Sequence, residues 1–295
     1  MVIVQILGGL GNQMFSYACG RALAERLKTD LILDLSSYAR YHRKYMLNKF
    51  NINQKYNKDF KKTIMVIKYS DIFLKKYFNT HWNFNLNGIK PVYENGSAYN
   101  VAIEDVEDNS YIQGYWGSEK YFADISEIIK REFTLKEKLS DNSLNWHKRI
   151  QKESCSVAMH IRRGDYINVP ANQIIFKSLQ VDYYQNAINV IKKKHDISAI
   201  FIFSNDILWC KENLKFGLPV YYVDGNDEDH GYEDLYLMSQ CSHNIIANST
   251  FSWWGAWLND NKNKMVVCPQ NFYKLNDKWH DSKDLCPKDW IKIDN

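Results

Sequence analysis

Three clusters in this 295-residue chain carry residue types and spacings suited to gripping a phosphate group. The first is His160-Ile161-Arg162-Arg163-Gly164-Asp165, at the end of the apolar run SVAMHIR. A guanidinium presents a planar fork of N–H donors that matches phosphate oxygens. Strand alternation sends Arg162 and Arg163 to opposite faces, so one meets a ligand and the other is structural. An ion pair with Asp165 is the competing use of this cluster. The second is Asn248-Ser249-Thr250-Phe251-Ser252, between an apolar strand and an apolar helix. Hydroxyls there can simply cap the helix. A helix start at a strand's carboxyl end is also an anion site, through its open amides and its dipole. Three hydroxyls at this place, with arginines at another strand end of the same block, favour a diphosphate. The third is the turn Gly8-Gly9-Leu10-Gly11-Asn12-Gln13. With Asp34 closing the next strand it invites a dinucleotide reading. That fingerprint is incomplete, because Met14 occupies the third glycine position counted from Gly9.

Acidic residues offer two further readings. Asp227-Glu228-Asp229 contains a D-x-D pattern that could hold a divalent metal on a nucleotide-sugar. Acids between Gly225 and Gly231 also suit a solvated loop. Glu233 and Asp234 open a helix, where carboxylates favour the dipole; either could equally accept from a guanine N–H. No G-x-S-x-G elbow and no G-x-x-x-x-G-K-[ST] loop is present, which speaks against serine hydrolysis and P-loop phosphoryl transfer.

These clusters need elements to hold them. VIVQIL (2–7), the glycine turn, a helix from Asn12 to Lys28 and LILDL (31–35) form a β-turn-α-β unit. Between 36 and 150 the pattern weakens, although YIQGYW (111–116) reads as a strand. The second block alternates clearly. Strands over 156–162, 199–205, 220–224, 244–247 and 265–269 are separated by helices over 181–195, 206–214, 233–241 and 250–258. That order predicts α/β architecture: two Rossmann-like domains with parallel sheets, and a ligand crevice at the strand carboxyl ends between them. The boundary is expected near 150, giving domains 1–150 and 151–295, with the final residues packing back on the first domain.

Composition excludes several classes. Net charge is +4, from 38 basic and 34 acidic residues, too balanced to imply nucleic-acid binding. Lysines bunch mildly in 55–76, which reads as a solvated amphipathic surface, with a peripheral membrane contact as the sharper alternative. No apolar run approaches the ~20 residues of a membrane span, and no signal peptide is evident. Six scattered cysteines without a C-x-x-C pair argue against a zinc site and suit a reducing compartment. The cytoplasm is expected, with the inner face of the membrane as the alternative placement. The 20 Tyr and 9 Trp are mostly core, although such side chains also suit sugar surfaces.

Taken together, GGLGNQMFSYACGRALA, GYWGSEKYF (114–122), HIRRGDY (160–166), FSND (203–206) and ANSTFSWWGAWL (247–258) resemble the bacterial α-1,2-fucosyltransferases of glycosyltransferase family 11. The motifs span nearly the whole chain, and HIRRGDY also resembles the H-x-R-R motif of α-1,6- and protein O-fucosyltransferases. The resemblance implies a GT-B-like fold with two facing domains, the second binding GDP-β-L-fucose and the first taking the acceptor. It implies inverting transfer of fucose to the 2-hydroxyl of a galactoside, in surface-polysaccharide or O-antigen synthesis, with no cofactor and no required metal. Arg162 would bind the donor β-phosphate, His160 would lie near the nucleotide, and Asp234 would read the guanine. Asn248, Ser249, Thr250, Phe251 and Ser252 would hold the diphosphate, with Gly9 and Asn205 completing the donor set. Asn12 would face donor and acceptor across the cleft. Some α-1,6 relatives carry a glutamate base a few residues past the arginines, but Pro170 stands near that position here. Asp165 is the nearest carboxylate and would either act as base or orient Arg162. A metal-dependent transferase using Asp227 and Asp229, and an NAD-linked oxidoreductase using Gly9, Gly11 and Asp34, are the rival readings.

Overall fold

The computed structural model describes residues 1–39, 43–53, 66, 69, 70, 74–76, 85 and 88–295. Most of the lysine-bunched run over 55–76 lies outside the described residues. The chain divides into two compact units, Met1–Thr134 and Leu135–Asn295.

In the first unit the fully buried runs VIVQ and LILD form β1 (Val2–Gln5) and β2 (Leu31–Asp34). Helix α1 (Leu10–Leu27) crosses between them and ends on Lys28 in the left-handed region. Strands β3 (Lys90–Tyr93) and β4 (Ser110–Gln113) complete a parallel sheet of order β2-β1-β4-β3. Pro91 explains why β3 is hard to read: proline belongs on edge strands, and β3 is one. Helix α2 (Ser126–Glu132) is tied to α1 by Glu132, which accepts from the Tyr17 hydroxyl at 2.6 Å and from Arg21 Nε at 3.1 Å.

In the second unit α3 (Asp141–Gln151) leads into β5 (Ser156–Ile161), buried along its whole length. The short helices α4 (Gly164–Asn168) and α5 (Pro170–Ile175) follow, where the sequence reads as loop, and then α6 (Val181–Lys192). Next come β6 (Ala199–Ser204), α7 (Ile207–Asn213), β7 (Val220–Val223) and α8 (Gly231–Ser239). The unit ends with β8 (His243–Ile245), α9 (Thr250–Trp257), β9 (Val266–Pro269) and β10 (Ile291–Ile293). Its sheet is parallel throughout, in the order β10-β9-β8-β5-β6-β7. Burial on both faces is why its strands read as continuous apolar runs rather than alternating ones.

The division falls at Thr134, ahead of the break expected near 150, because α3 is bonded into the second unit. Ser140, its cap, donates to Glu233 at 2.6 Å, and Asn142 donates to the Asp224 carbonyl at 2.9 Å. The chain's final residues were expected to pack on the first unit. Within the second unit they extend the sheet: β10 pairs with β9, and Trp290 packs 5.4 Å from Trp253, ring to ring.

Helices α8 and α9 meet where Gly255 faces Met238, and a Cβ on Gly255 would stand 2.9 Å from the Met238 Cβ. Neither atom can rotate away. Gly255→Val is therefore expected to cost about 2 kcal/mol or more by overpacking, read as a lower urea midpoint at unchanged slope.

Candidate active site

The second unit gathers its chemistry at one sheet edge. Strands β8, β5 and β6 are adjacent and parallel, so their carboxyl ends emerge side by side, about 4.8 Å apart. Register sets Met159 level with Ile245; Arg162 and Asn248 each lie three residues further on and leave the sheet together. His160 is paired with Phe203, which brings Asn205 to the same edge from β6.

The two arginines lie just past the end of β5, beyond the reach of strand alternation, and take different partners. Arg163 is structural: its Nε bonds Asp206 at 3.1 Å and its guanidinium lies 3.9 Å over the Trp209 ring. Arg162 pairs with Asp165 at 2.7 Å, with their side chains 22% and 25% exposed, and remains reachable from solvent. Its guanidinium also sits 5.7 Å from the Tyr166 ring. Asn205 spends its carbonyl oxygen on the Arg163 amide at 3.0 Å. A Cβ at Gly164 would come within 2.2 Å of the Asn205 amide nitrogen, so this glycine permits the close approach.

Tyr166 joins the two clusters. Its hydroxyl donates to the Asn248 carbonyl at 2.9 Å, and its ring stacks on Phe176 at 4.4 Å. The sequence hides this role because Asp165 and Tyr166 read as loop, whereas α4 turns the tyrosine back toward β8. Asn248 fastens the turn to its neighbours. Its amide donates to the Lys177 and Phe272 carbonyls, both at 2.9 Å, and it is fully buried. Ser252 is buried too, with its hydroxyl directed to the Ser249 carbonyl. Ser249 is the N-cap residue, yet its hydroxyl takes none of the helix's first amides. The amides at 250–252 have no acceptor within the helix, by the geometry of any helix start. Thr250 opens that first turn, and Phe251 lies against the His160 ring at 5.6 Å. His160 is only 4% exposed and packs beneath the helix start. Burial, and then the Arg162 charge, push its pKa down to about 3, so the ring is neutral.

The helix start of α8 lies beside that of α9; a Cβ at Gly231 would stand 3.7 Å from the Phe251 ring. The two acids of α8 divide their roles. Glu233 accepts from the Ser140 amide and hydroxyl and is committed to the fold. Asp234 accepts from Asn226 at 2.7 Å, and burial pushes its pKa up to about 6. Asp227 serves its own turn, accepting the Asp229 and His230 amides and the His230 ring nitrogen. Among the described residues, no group of three or more His, Cys, Asp or Glu is placed to hold a metal ion.

In the first unit the glycine turn also leaves a carboxyl strand end. Gly8 has φ +74°, and a Cβ there would meet the Asn12 amide at 2.7 Å, so this glycine, not Gly9, is the sterically required one. Asn12 stands partly exposed in the first turn of α1. Gln13 is buried and holds the turn, donating to the Gly8 and Lys44 carbonyls and accepting from the Met46 amide. Asp34 is buried, accepting from Ser36 and from the Tyr111 hydroxyl at 2.9 Å, and presents nothing to a ribose.

Residues 1–294 match the profile of Glycosyl transferase family 11. The chain belongs to that family. It is 34% identical to the Escherichia coli O-antigen biosynthesis glycosyltransferase WbnK, covering 97% of this chain and 98% of the relative. It is 30% identical to an Escherichia coli alpha-1,2-colitosyltransferase, covering 100% of this chain and 99% of that one. A variant of Arabidopsis thaliana FUT1 in complex with GDP is similar in fold, with a TM-score of 0.54 at 12% identity, over 96% of this chain and 73% of that one. The architecture is GT-B-like, each unit built on a parallel sheet. Among the described residues, no helix of this glycosyltransferase is long and apolar enough to cross a membrane.

The neutral His160 has a measurable consequence. Its pKa in the unfolded chain is about 6.5, well above the native value, so the unfolded state binds the extra proton. The contribution is complete above pH 6.5 and is lost as pH falls toward 3, some 2 kcal/mol of it by pH 5. His160→Gln should flatten this acid limb in urea melts at pH 7 and pH 5. An unchanged limb would show that the imidazole is protonated in the fold.

Proposed function

We propose that the enzyme transfers L-fucose from GDP-β-L-fucose to the 2-hydroxyl of a galactoside, with inversion at the anomeric carbon. The observation that carries this reading is the in-register pairing of β5 with β8, which brings Arg162 and the start of α9 to one edge. The second unit is the donor-binding domain, and the first, with Asn12, serves the acceptor. The relatives that share the whole chain act in O-antigen synthesis and in α-1,2 transfer, which supports a surface-polysaccharide acceptor.

The acceptor hydroxyl oxygen attacks the anomeric carbon as the bond to the β-phosphate oxygen breaks; GDP departs from the opposite face, and the hydroxyl proton is released to solvent. Negative charge grows on the diphosphate. Arg162 and the amides at 250–252 stabilise it as it develops, and fixed donors of this kind are worth about 3–4 kcal/mol each. Asp165 positions Arg162 through their 2.7 Å contact. Ser249 and Thr250 border the diphosphate, while His160, Asn205, Asn248 and Ser252 hold the frame around it. Asp234 accepts a guanine N–H, with Asn226 fixing its carboxylate. The donor's charge is met by protein groups, so transfer needs no metal. A colitosyl donor is the second reading, favoured by the colitosyltransferase relative.

The test incubates the enzyme with GDP-fucose and β-galactosides in excess EDTA and determines the product linkage by NMR. An α-1,2-fucoside at undiminished rate is expected; transfer from a colitosyl donor alone would select the second reading. Arg162→Ala should lower turnover by at least ~10²-fold with an unaltered circular dichroism spectrum. Near-normal turnover in that variant would remove Arg162 from the mechanism.

A further inference from the structure

The motif GYWGSEKYF is not used by the donor site, and its opening residues have an unusual backbone. Trp116 has φ +55°, in the left-handed region that bulky residues avoid, yet its side chain is only 1% exposed. Its indole N–H is buried without a hydrogen-bond partner among the described residues, a second cost in the same stretch. Strained backbone of this kind persists only where surrounding structure enforces it, and it concentrates at functional sites.

The enforcing group is Glu94. It follows β3, and its carboxylate accepts the Tyr115 and Trp116 amides, both at 2.8 Å, and the Gly117 amide. A Cβ at Gly114 would come within 2.4 Å of the Glu94 Cβ, so only glycine lets the loop close on this carboxylate. The Ser16 hydroxyl donates to the Gly114 carbonyl at 3.0 Å, tying the loop to α1 as well. Register pairs Val4 with Ile112, so Gly114 leaves the sheet beside the Gly8–Asn12 turn. The clamp's product is Tyr115, a large aromatic left 47% exposed at the sheet's carboxyl edge.

We infer that Tyr115 is the acceptor platform, stacking on the apolar C–H face of a β-galactoside, with Glu94 as the positioning residue that presents it. A tyrosine suits this use because it offers a rigid, amphipathic face at low conformational-entropy cost. The inference rests on the galactoside reading proposed above and adds the residue that meets the acceptor.

Lactose is the probe, in kinetics with GDP-fucose and in saturation-transfer NMR with GDP present. Tyr115→Ala should raise the lactose KM about tenfold while leaving kcat and the GDP-fucose KM within about twofold. Tyr115→Phe should stay within about threefold of wild type, because the ring face is the contact. Glu94→Gln should raise the lactose KM without changing GDP affinity, since its NH₂ would confront backbone donors. If wild type forms product and Tyr115→Ala binds lactose as wild type does, or loses GDP-fucose affinity instead, the platform is overturned. If wild type forms no fucoside but Tyr115→Ala loses the lactose NMR signal, the platform stands and the proposed reaction fails.

Discussion

Parallel pairing of β8, β5 and β6 is the constraint on which the rest of the second unit depends. Because all three strands run the same way, each delivers its last residues to one edge, and the register decides which residues meet there. A slip of one position between β5 and β8 would carry Arg162 out of line with Asn248. Continuous burial of β5 makes such a slip costly. The Tyr166 hydroxyl then staples the arginine strand end to the turn after β8.

Electrostatics at that edge follow from burial. A cationic His160 beneath Phe251 would be a buried charge beside the Arg162 guanidinium, and desolvation prevents it. The Arg162–Asp165 pair is about a quarter exposed, and partly exposed pairs contribute about 0–1 kcal/mol. Transition-state donors in a preorganised site are worth several times that. A diphosphate can therefore compete for the guanidinium, and Asp165 can hold Arg162 in place without keeping it from the ligand.

Much of this was legible in the sequence. Apolar runs bounded by turn residues marked the strands around the site, but Arg162 and Arg163 lie past the end of β5, where alternation no longer applies and distant partners decide their roles. What escaped had physical reasons. Pro91 disguised β3, and α4 and α5 are too short to show a helical period. Asn248 and Ser252 have the right types for ligand contact, but their use as fasteners depends on carbonyls contributed by distant segments at Lys177 and Phe272 and by the turn itself. His160 sits in a motif that implies nucleotide contact, and its burial against Phe251 depends on a helix start that the sequence alone does not place beside it. Trp116 gives no sign of a positive φ, because the carboxylate that enforces it comes from another strand end.

The decisive measurement is a crystal structure of the enzyme with GDP. Density for the β-phosphate is expected between the Arg162 guanidinium and the amides at 250–252, with the guanine ring against Asp234. A diphosphate bound at the Asp227–His230 turn, or at the Gly8–Asn12 turn of the first unit, would contradict it.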